Sequence, residues 1–202
     1  MRWITPVLFA VMLPLLPGCG ALSSLSKAGD ELDAYTLSPA THSGTAASGS
    51  RHLIVELPSS SGALATDRIL VKPVPYQAQY LPDGRWTEPA PSLFQTLLVS
   101  SFQNLGGFRL VGRTANGLNT DYTLMTEIQA FQAEPLATEP PQYLIRISMM
   151  MTLIRESDRR IVASRRFSAT ETVDSDDTRT LVGGFDRALQ NLLKEIVTWT
   201  VQ

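Results

Sequence analysis

Residues 143–153 read YLIRISMMMTL, and every odd-numbered position in this stretch is apolar. Strict alternation over eleven residues predicts a β-strand with one buried face. The polar residues 156–160 (ESDRR) follow, and residues 161–170 then form a second run with strand character. A short polar connection between two such runs is typical of an antiparallel hairpin. A long hairpin is therefore the predicted centre of the fold.

Two amphipathic helices flank this region on either side in the sequence. Residues 89–91 open the first, Gly106-Gly107 end it, and apolar side chains recur at three- and four-residue spacing between them. Asp174-Ser175-Asp176-Asp177 supply a cap and a negative first turn for the second. The apolar positions are Leu93, Phe94, Leu97, Leu98, Phe102 and Leu105 in the first helix, and Leu181, Phe185, Leu189, Leu192, Leu193 and Ile196 in the second.

Shorter strands complete the pattern. Residues 52–57, 68–71, 108–111 and 122–131 are predicted strands, and Pro82-Asp83-Gly84 predicts a reversal between Tyr80 and Trp86. The order is strands, helix, four strands, helix. We therefore expect a single α+β domain, with a mixed, mostly antiparallel sheet and two amphipathic helices packed on one face.

The N-terminus reads as an export signal. An apolar run of 14 residues, 3–16, follows Arg2 and is shorter than the roughly 20 residues that span a bilayer. Leu16-Pro17-Gly18-Cys19 then resembles the bacterial lipobox, in which the cysteine receives acyl chains such as palmitate. We predict a signal peptide over 1–18 and lipidation at Cys19, and Gly20 after it indicates the outer membrane, facing the periplasm. The alternatives are a plain secretory signal and a buried apolar N-terminus with a chance cysteine.

Residues 19–50 are predicted to form a lipidated, flexible tether, and residues 51–202 the folded domain. Between positions 20 and 50, 20 of 31 residues are Gly, Ser, Ala or Thr. Such a segment has too few large apolar side chains for their burial to offset the entropy lost when the chain becomes ordered. Tyr35-Thr36-Leu37 is the exception, and it is predicted to join the sheet of the domain.

Composition argues against several classes of function. The chain has 202 residues with 17 Lys+Arg against 19 Asp+Glu, so a nucleic-acid binder that neutralises phosphates is disfavoured. One cysteine excludes an intramolecular disulfide and multi-cysteine metal sites. No lysine stands in a phosphate-binding loop motif. Residues 174–185 fail as a calcium loop, because Arg179 and Phe185 stand where glycine and a carboxylate are required.

Catalytic chemistry is not expected either. The two histidines, His42 and His52, lie outside any recognisable nucleophile motif. The sequence therefore predicts a protein that is not an enzyme and needs no cofactor or metal.

Two groups of residues are candidates for contact with a partner or a lipid. Met149, Met150 and Met151 make their strand apolar on both faces and fit either a core or an adaptable surface for lipid or a further subunit, including a second copy of this chain. Asp67, Arg68 and Trp86 place charges beside an aromatic ring and fit either a contact site or an ion pair that packs a tryptophan.

The order of several short motifs resembles a known family. These are Cys19, Tyr35-Thr36-Leu37, residues 64–69 (LATDRI), Arg85-Trp86 ahead of Pro89-Ala90-Pro91, the helix to Phe102, Gly107-Phe108 and Asp121-Tyr122. Over residues 35–200 they resemble the ABC-type transport auxiliary lipoproteins, which serve paraquat-inducible and mammalian-cell-entry (Mce) type transport systems.

That resemblance implies an accessory subunit of an Mce-type ABC transporter that moves lipids or other hydrophobic molecules between membranes, with Mce-domain and permease chains as partners. A second hypothesis is an outer-membrane lipoprotein that activates or scaffolds a cell-envelope enzyme complex. An envelope hydrolase that uses His42 or His52 is the third.

Overall fold

The computed structural model describes residues 32–41, 49–115, 117 and 119–202. Within them the chain forms nine strands and two helices. The strands are β1 (Asp33–Tyr35), β2 (His52–Val55), β3 (Ser59–Ser60), β4 (Arg68–Val71), β5 (Gln79–Trp86), β6 (Leu110–Gly112), β7 (Tyr122–Leu136), β8 (Gln142–Arg155) and β9 (Arg160–Val173), and the helices are α1 (Ala90–Leu105) and α2 (Thr178–Val201).

Strand β7 organises the sheet because both of its edges are paired. One edge forms a long antiparallel ladder with β8, which pairs in turn with β9. The other edge is shared by β2, β3 and β4, each parallel to β7. β6 lies beside β2, and β5 and then β1 lie beside β4. The result is one open mixed sheet in which most paired residues belong to the two long antiparallel ladders.

Both helices cover one face of this sheet, as the alternation in 143–153 predicts. The odd-numbered side chains Ile145, Ile147, Met149 and Met151 of β8 are fully buried against them. Helix α2 is also held to strand β9 by ion pairs between Arg187 and Glu171 and between Arg165 and Glu195. The predicted single α+β domain is confirmed.

Aromatic rings fill the centre of the core between sheet and helices. Trp86 of β5 lies 5.3 Å from Phe131 of β7 and 5.4 Å from Phe185 of α2, and Phe94 of α1 meets Phe131 edge to face at 5.6 Å. Edge-to-face and tilted pairs at these distances add to the stabilisation from burial. The cluster therefore joins strands from both halves of the chain to both helices.

The helix ends follow the predicted signals. Pro91 lies in the first turn of α1, and Gly106, at φ 81°, donates its N–H to Phe102 O at 2.8 Å beyond the last turn. Asp177 caps α2 and accepts a hydrogen bond from the Thr180 N–H at 3.0 Å. The predicted negative first turn of this helix is wrong, because Asp174, Asp176 and Asp177 all precede Thr178 and the first turn holds no acidic residue.

The predicted reversal at Pro82-Asp83-Gly84 is wrong, because β5 runs without interruption from Gln79 to Trp86. Its pairing with β4 jumps from Arg68↔Arg85 to Leu70↔Tyr80, so the turn-forming residues are accommodated as an irregularity within an extended strand. On the other edge, Gly84 pairs with Asp33 of β1. Pairing on both edges overrides the local turn preference.

The described fold includes residues that precede position 51. Strand β1 (Asp33–Tyr35) pairs in parallel with β5, and it contains Tyr35 of the predicted Tyr35-Thr36-Leu37 segment. Leu37 and Ala40 are buried after it. Residues 32–41 therefore pack as part of the domain.

Candidate functional site

The candidate site lies at one end of the sheet, where β4 and β7 finish and β5 and β8 start. We call this end the entry pole; it comprises the β4–β5 loop (72–78), the β7–β8 turn (137–141), the start of β1 and residues 174–177 ahead of α2. These four separate segments of the chain meet here because β4, β7 and β9 all run towards this end.

An open cleft of about 650 Å³ occupies the entry pole. Three tyrosines, Tyr35, Tyr80 and Tyr143, and four carboxylates line it, and no lysine or arginine is among the described residues that line it. The carboxylates belong to Asp33, Asp83, Asp176 and Asp177, and the remaining lining residues are Val71, Pro73, Gln79, Leu81, Pro82, Pro135 and Thr178. The cleft therefore offers aromatic surface and negative charge.

Tyr143 has a perturbed side chain in this cleft. Its partial burial raises the pKa of the phenol, and the negative charge of Asp176, to which it is hydrogen-bonded, raises it further. A tyrosine is protonated at neutral pH in any case, and the raised pKa reflects a phenol that donates a hydrogen bond to the Asp176 carboxylate. This arrangement suits binding and gives no activated nucleophile.

Asp67, Arg68 and Trp86 are brought together beside this cleft by the pairing of β4 with β5. The Trp86 ring is buried in the aromatic cluster, and its backbone N–H donates to the Asp67 carbonyl at 2.6 Å. The Asp67 carboxylate lies 3.5 Å from the Arg85 guanidinium. Asp67 and Arg68 remain partly exposed, whereas Trp86 is enclosed by the core.

Arg68 connects this group to the cleft wall. Its Nη2 donates to the Leu81 carbonyl at 3.0 Å, and its guanidinium lies over the Tyr80 ring at 5.8 Å from the centroid. Because Tyr80 and Leu81 line the cleft, Arg68 fixes one of its walls.

The three methionines lie on β8, and their side chains point to opposite faces of the sheet. Met149 and Met151 are fully buried beneath the helices. Met150 lies on the face without helices, half-buried, where the Ser164 hydroxyl is 3.7 Å from its sulfur. Of the three, only Met150 presents surface to a partner without movement of the helices.

Cys19 and His42 lie outside the described residues. His52 starts β2, and its backbone N–H donates to the Asp121 carboxylate at 2.6 Å while its ring Nδ1 lies 3.2 Å from the Asn119 carbonyl. These contacts give His52 a structural role in joining β2 to the segment ahead of β7.

At the opposite end, the distal pole, the β8–β9 turn (156–159) lies near the end of α2. Here Arg51 donates from Nη2 to the Val201 carbonyl at 3.2 Å and from Nη1 to the Tyr122 hydroxyl at 3.3 Å. A positive group on the last carbonyls of a helix stabilises that end. Arg51 also lines an open cleft of about 520 Å³ with Arg155, Asp121 and Glu156.

Comparison with known proteins identifies the family. A family model described as ABC-type transport auxiliary lipoprotein component matches residues 35–197, from the last residue of β1 to the last turns of α2. The chain belongs to this family.

Two of the proteins that resemble this auxiliary lipoprotein are at least 26% identical to it in sequence. The uncharacterised protein bll6063 of Bradyrhizobium diazoefficiens is 29% identical over 152 residues; these cover 75% of this chain, which spans 40% of the length of that relative. Protein XCC0632 of Xanthomonas campestris, a crystal structure, is 26% identical with a TM-score of 0.72 over 85% of this chain and 95% of its own.

A further crystal structure, of an uncharacterised protein, has a TM-score of 0.64 at 17% identity and covers 84% of this chain and 99% of its own. At that identity it supports the fold alone. The family consists of lipoproteins that are auxiliary components of ABC-type transport, which points to a lipid-anchored location in the cell envelope and to a non-enzymatic role.

Within the described part of the auxiliary lipoprotein, neither helix is long and apolar enough to cross a membrane. The same residues hold no cluster of three or more His, Cys, Asp or Glu side chains arranged for a metal ion.

The exposed side chains at and beside the β4–β5 loop were not predicted from the sequence. Val74 is 53% exposed, Tyr76 is fully exposed and has a φ of 68°, and Tyr80 is 39% exposed. The signal was present in residues 73–76 (PVPY), where two prolines restrict the backbone around an apolar and an aromatic side chain.

Proposed function

We propose that this chain is a non-catalytic, lipid-anchored accessory subunit of an Mce-type ABC transporter that moves lipids or other hydrophobic molecules between membranes. The family match over residues 35–197 carries this proposal. Anchoring occurs through acylation of Cys19, and Gly20 at the following position favours the outer membrane, with the domain in the periplasm. The domain contributes by binding the Mce-domain and permease chains.

The surface of the domain supports a binding role. Asp67, Arg68 and Met150 are accessible, and the cleft at the entry pole presents phenols and carboxylates without a basic side chain in its lining. These are groups that recognise a partner by charge and aromatic contact.

Affinity purification from native membranes tests the partnership. An affinity tag after Gln202 is suitable because that residue is exposed. Recovery of Mce-domain and permease chains is the expected result. Recovery of cell-wall synthases in their place would support the envelope-enzyme hypothesis and overturn ours, and so would recovery of no transporter chain.

Acylation is tested separately. Metabolic labelling with an alkyne palmitate analogue should label the protein, and Cys19→Ser should abolish the label. The unchanged Tm of the purified variant serves as the control for folding. A variant that still takes up the label would contradict acylation at this residue.

A further inference from the structure

The β4–β5 loop has a backbone conformation that its sequence does not favour. The Gln77 N–H donates to the Val74 carbonyl at 3.2 Å, Pro75 occupies the second position of this turn, and Tyr76 in the third has a φ of 68°. These are features of a type II turn, whose third position requires a positive φ and is normally glycine. A tyrosine there is strained.

Packing does not compensate for the strain. The Tyr76 side chain is fully exposed, and that of Val74 is 53% exposed beside it. A tyrosine that lies in a glycine position and packs on nothing adds no stability to the fold. An exposed apolar side chain and an exposed aromatic side chain on a stiff, proline-bounded loop are available for contact with another surface.

The direction of β1 places the N-terminal part of the chain at the same end of the domain. β1 is parallel to β5, with Asp33 opposite Gly84 and Tyr35 opposite Trp86. β1 therefore begins towards the side where β5 starts, which is the side of the β4–β5 loop.

Length sets how far an anchor at Cys19 can lie from the domain. Thirteen residues separate Cys19 from Asp33 and can span at most about 45 Å. Asp33 lies opposite Gly84, beside the Arg68↔Arg85 pair, and Leu70 pairs with Gln132, so β1 starts nearer to the end of β7 at Leu136 than to its beginning at Tyr122. The entry pole is therefore the nearer pole, and an anchor at the distal pole would require the chain to turn back along the sheet.

We propose that the tip of the β4–β5 loop, Val74 and Tyr76, inserts into the headgroup region of the bilayer that holds the lipidated Cys19. Tyrosine favours this region because its ring is apolar and its hydroxyl is polar. The contact rests on the proposed anchoring of the chain, and it fixes the orientation of the domain on the membrane.

Charge selects the kind of surface. Asp33, Asp83, Asp176 and Asp177 line the cleft behind the loop, and Lys72 is the one cation of the loop itself, so the described part of the entry pole is net negative and favours a zwitterionic surface over an anionic one. The competing orientation would use the distal pole, where Ile161 is 66% exposed beside Arg159 and Arg160. The test separates the two.

Cysteine labelling of the lipidated full chain provides that test. Because acylation blocks Cys19, the only native cysteine, an introduced cysteine carries the only free thiol. Tyr76→Cys places a fluorophore on the loop, and Ser157→Cys places one on the exposed turn of the distal pole. Each protein is reconstituted into vesicles of phosphatidylcholine and phosphatidylethanolamine that contain a headgroup-depth lipid quencher.

We expect quenching of at least twofold for the label at 76 and none for the label at 157. Quenching at 157 alone, or at neither position in protein that floats with the vesicles, overturns the loop contact and leaves the anchor intact. Failure of the protein to float with the vesicles overturns the anchor and the loop contact together.

The substitution Tyr76→Gly distinguishes a loss of membrane contact from a loss of folding. With the label moved to Gln77→Cys, the additional change Tyr76→Gly should lower quenching at least twofold, while the Tm stays equal or rises because the turn accepts glycine without strain. Unchanged quenching in the glycine variant would overturn the role of Tyr76.

Discussion

The backbone N–H of Ala40 donates a hydrogen bond to the Ser101 hydroxyl at 2.9 Å, and both residues are fully buried. Neighbouring bonds bind the same segment to α2: the Ser38 N–H donates to the Asp186 carboxylate at 2.7 Å, and the Gln190 amide donates to the Ser38 carbonyl at 2.7 Å. The segment after β1 is therefore fixed to both helices. It holds the point of chain entry at one end of the sheet.

Replacement of Ser101 by alanine should destabilise the domain. The variant leaves the buried N–H of Ala40 without its acceptor, which costs about 1–3 kcal/mol. Urea denaturation measures the change in the free energy of unfolding. Ser100→Ala, one residue earlier on α1 and half-buried, is the matched control and should stay within about 0.5 kcal/mol of wild type. Equal effects of the two changes would contradict a specific role for the Ala40–Ser101 bond.

Two adjacent glycines of α2 should respond to alanine in opposite directions. A Cβ on Gly184 would lie 2.8 Å from Val173 Cγ1 and 2.9 Å from Ile145 Cγ1, both in the packed sheet, so Gly184→Ala should cost about 1–3 kcal/mol. A Cβ on Gly183 meets only the flexible end of Arg187 at 3.4 Å. Gly183→Ala should therefore stabilise the helix by about 0.5–1 kcal/mol. Thermal unfolding of both variants checks this. Unchanged or higher stability of Gly184→Ala would contradict close packing at Gly184, and a loss of stability in Gly183→Ala would contradict the open space at Gly183.

The elements predicted from sequence were those with local signals. The alternation in 143–153 and the spacing of Leu93, Phe94 and Leu97 depend only on near neighbours, and they predicted β8 and α1. The Pro82-Asp83-Gly84 prediction failed because pairing partners on both edges, distant in sequence, decide the conformation of β5.

The candidate site could be predicted only in part for the same reason. Asp67, Arg68 and Trp86 were found because they are close in sequence to strand and turn signals. The cleft unites Tyr35, Tyr80 and Tyr143 from β1, β5 and β8, and no periodicity relates such distant positions. Tyr76 required a backbone dihedral angle that composition does not reveal.

Alanine substitutions in the run of three methionines should differ in their effect on stability, because Met149 is buried in the core and Met150 is half-buried at the surface. Met149 is fully buried between Ile128 and Phe167 on the adjacent strands, so Met149→Ala should cost about 2–5 kcal/mol. Met150 is half-buried on the face without helices, so Met150→Ala should lower the free energy of unfolding by about 1 kcal/mol or less. Chemical denaturation of both variants checks the difference. If Met150→Ala retains stability and loses transporter chains in affinity purification, Met150 is part of the contact surface.

Stability should depend on pH through Glu134. Arg146 donates to its two carboxylate oxygens at 3.0 and 2.9 Å, and these hydrogen bonds, with one from Gln132, hold the pKa of Glu134 below its ordinary value against the raising effect of partial burial. A lowered pKa in the folded state adds stability at neutral pH, and this contribution is lost as the pH falls through that value. Because the pair is partly exposed, its contribution is about 1 kcal/mol or less.

Glu134→Gln should therefore lower the free energy of unfolding by up to about 1 kcal/mol at pH 7, and the difference from wild type should shrink towards zero as the pH falls below about 4. Urea titrations at pH 7 and pH 3 measure both values. Glu127→Gln, exposed on the same strand, is the matched control and should change stability by less than about 0.5 kcal/mol at either pH. A deficit in Glu134→Gln that persists unchanged at pH 3 would mean that the carboxylate charge is not its source, since protonated Glu134 and glutamine are both neutral.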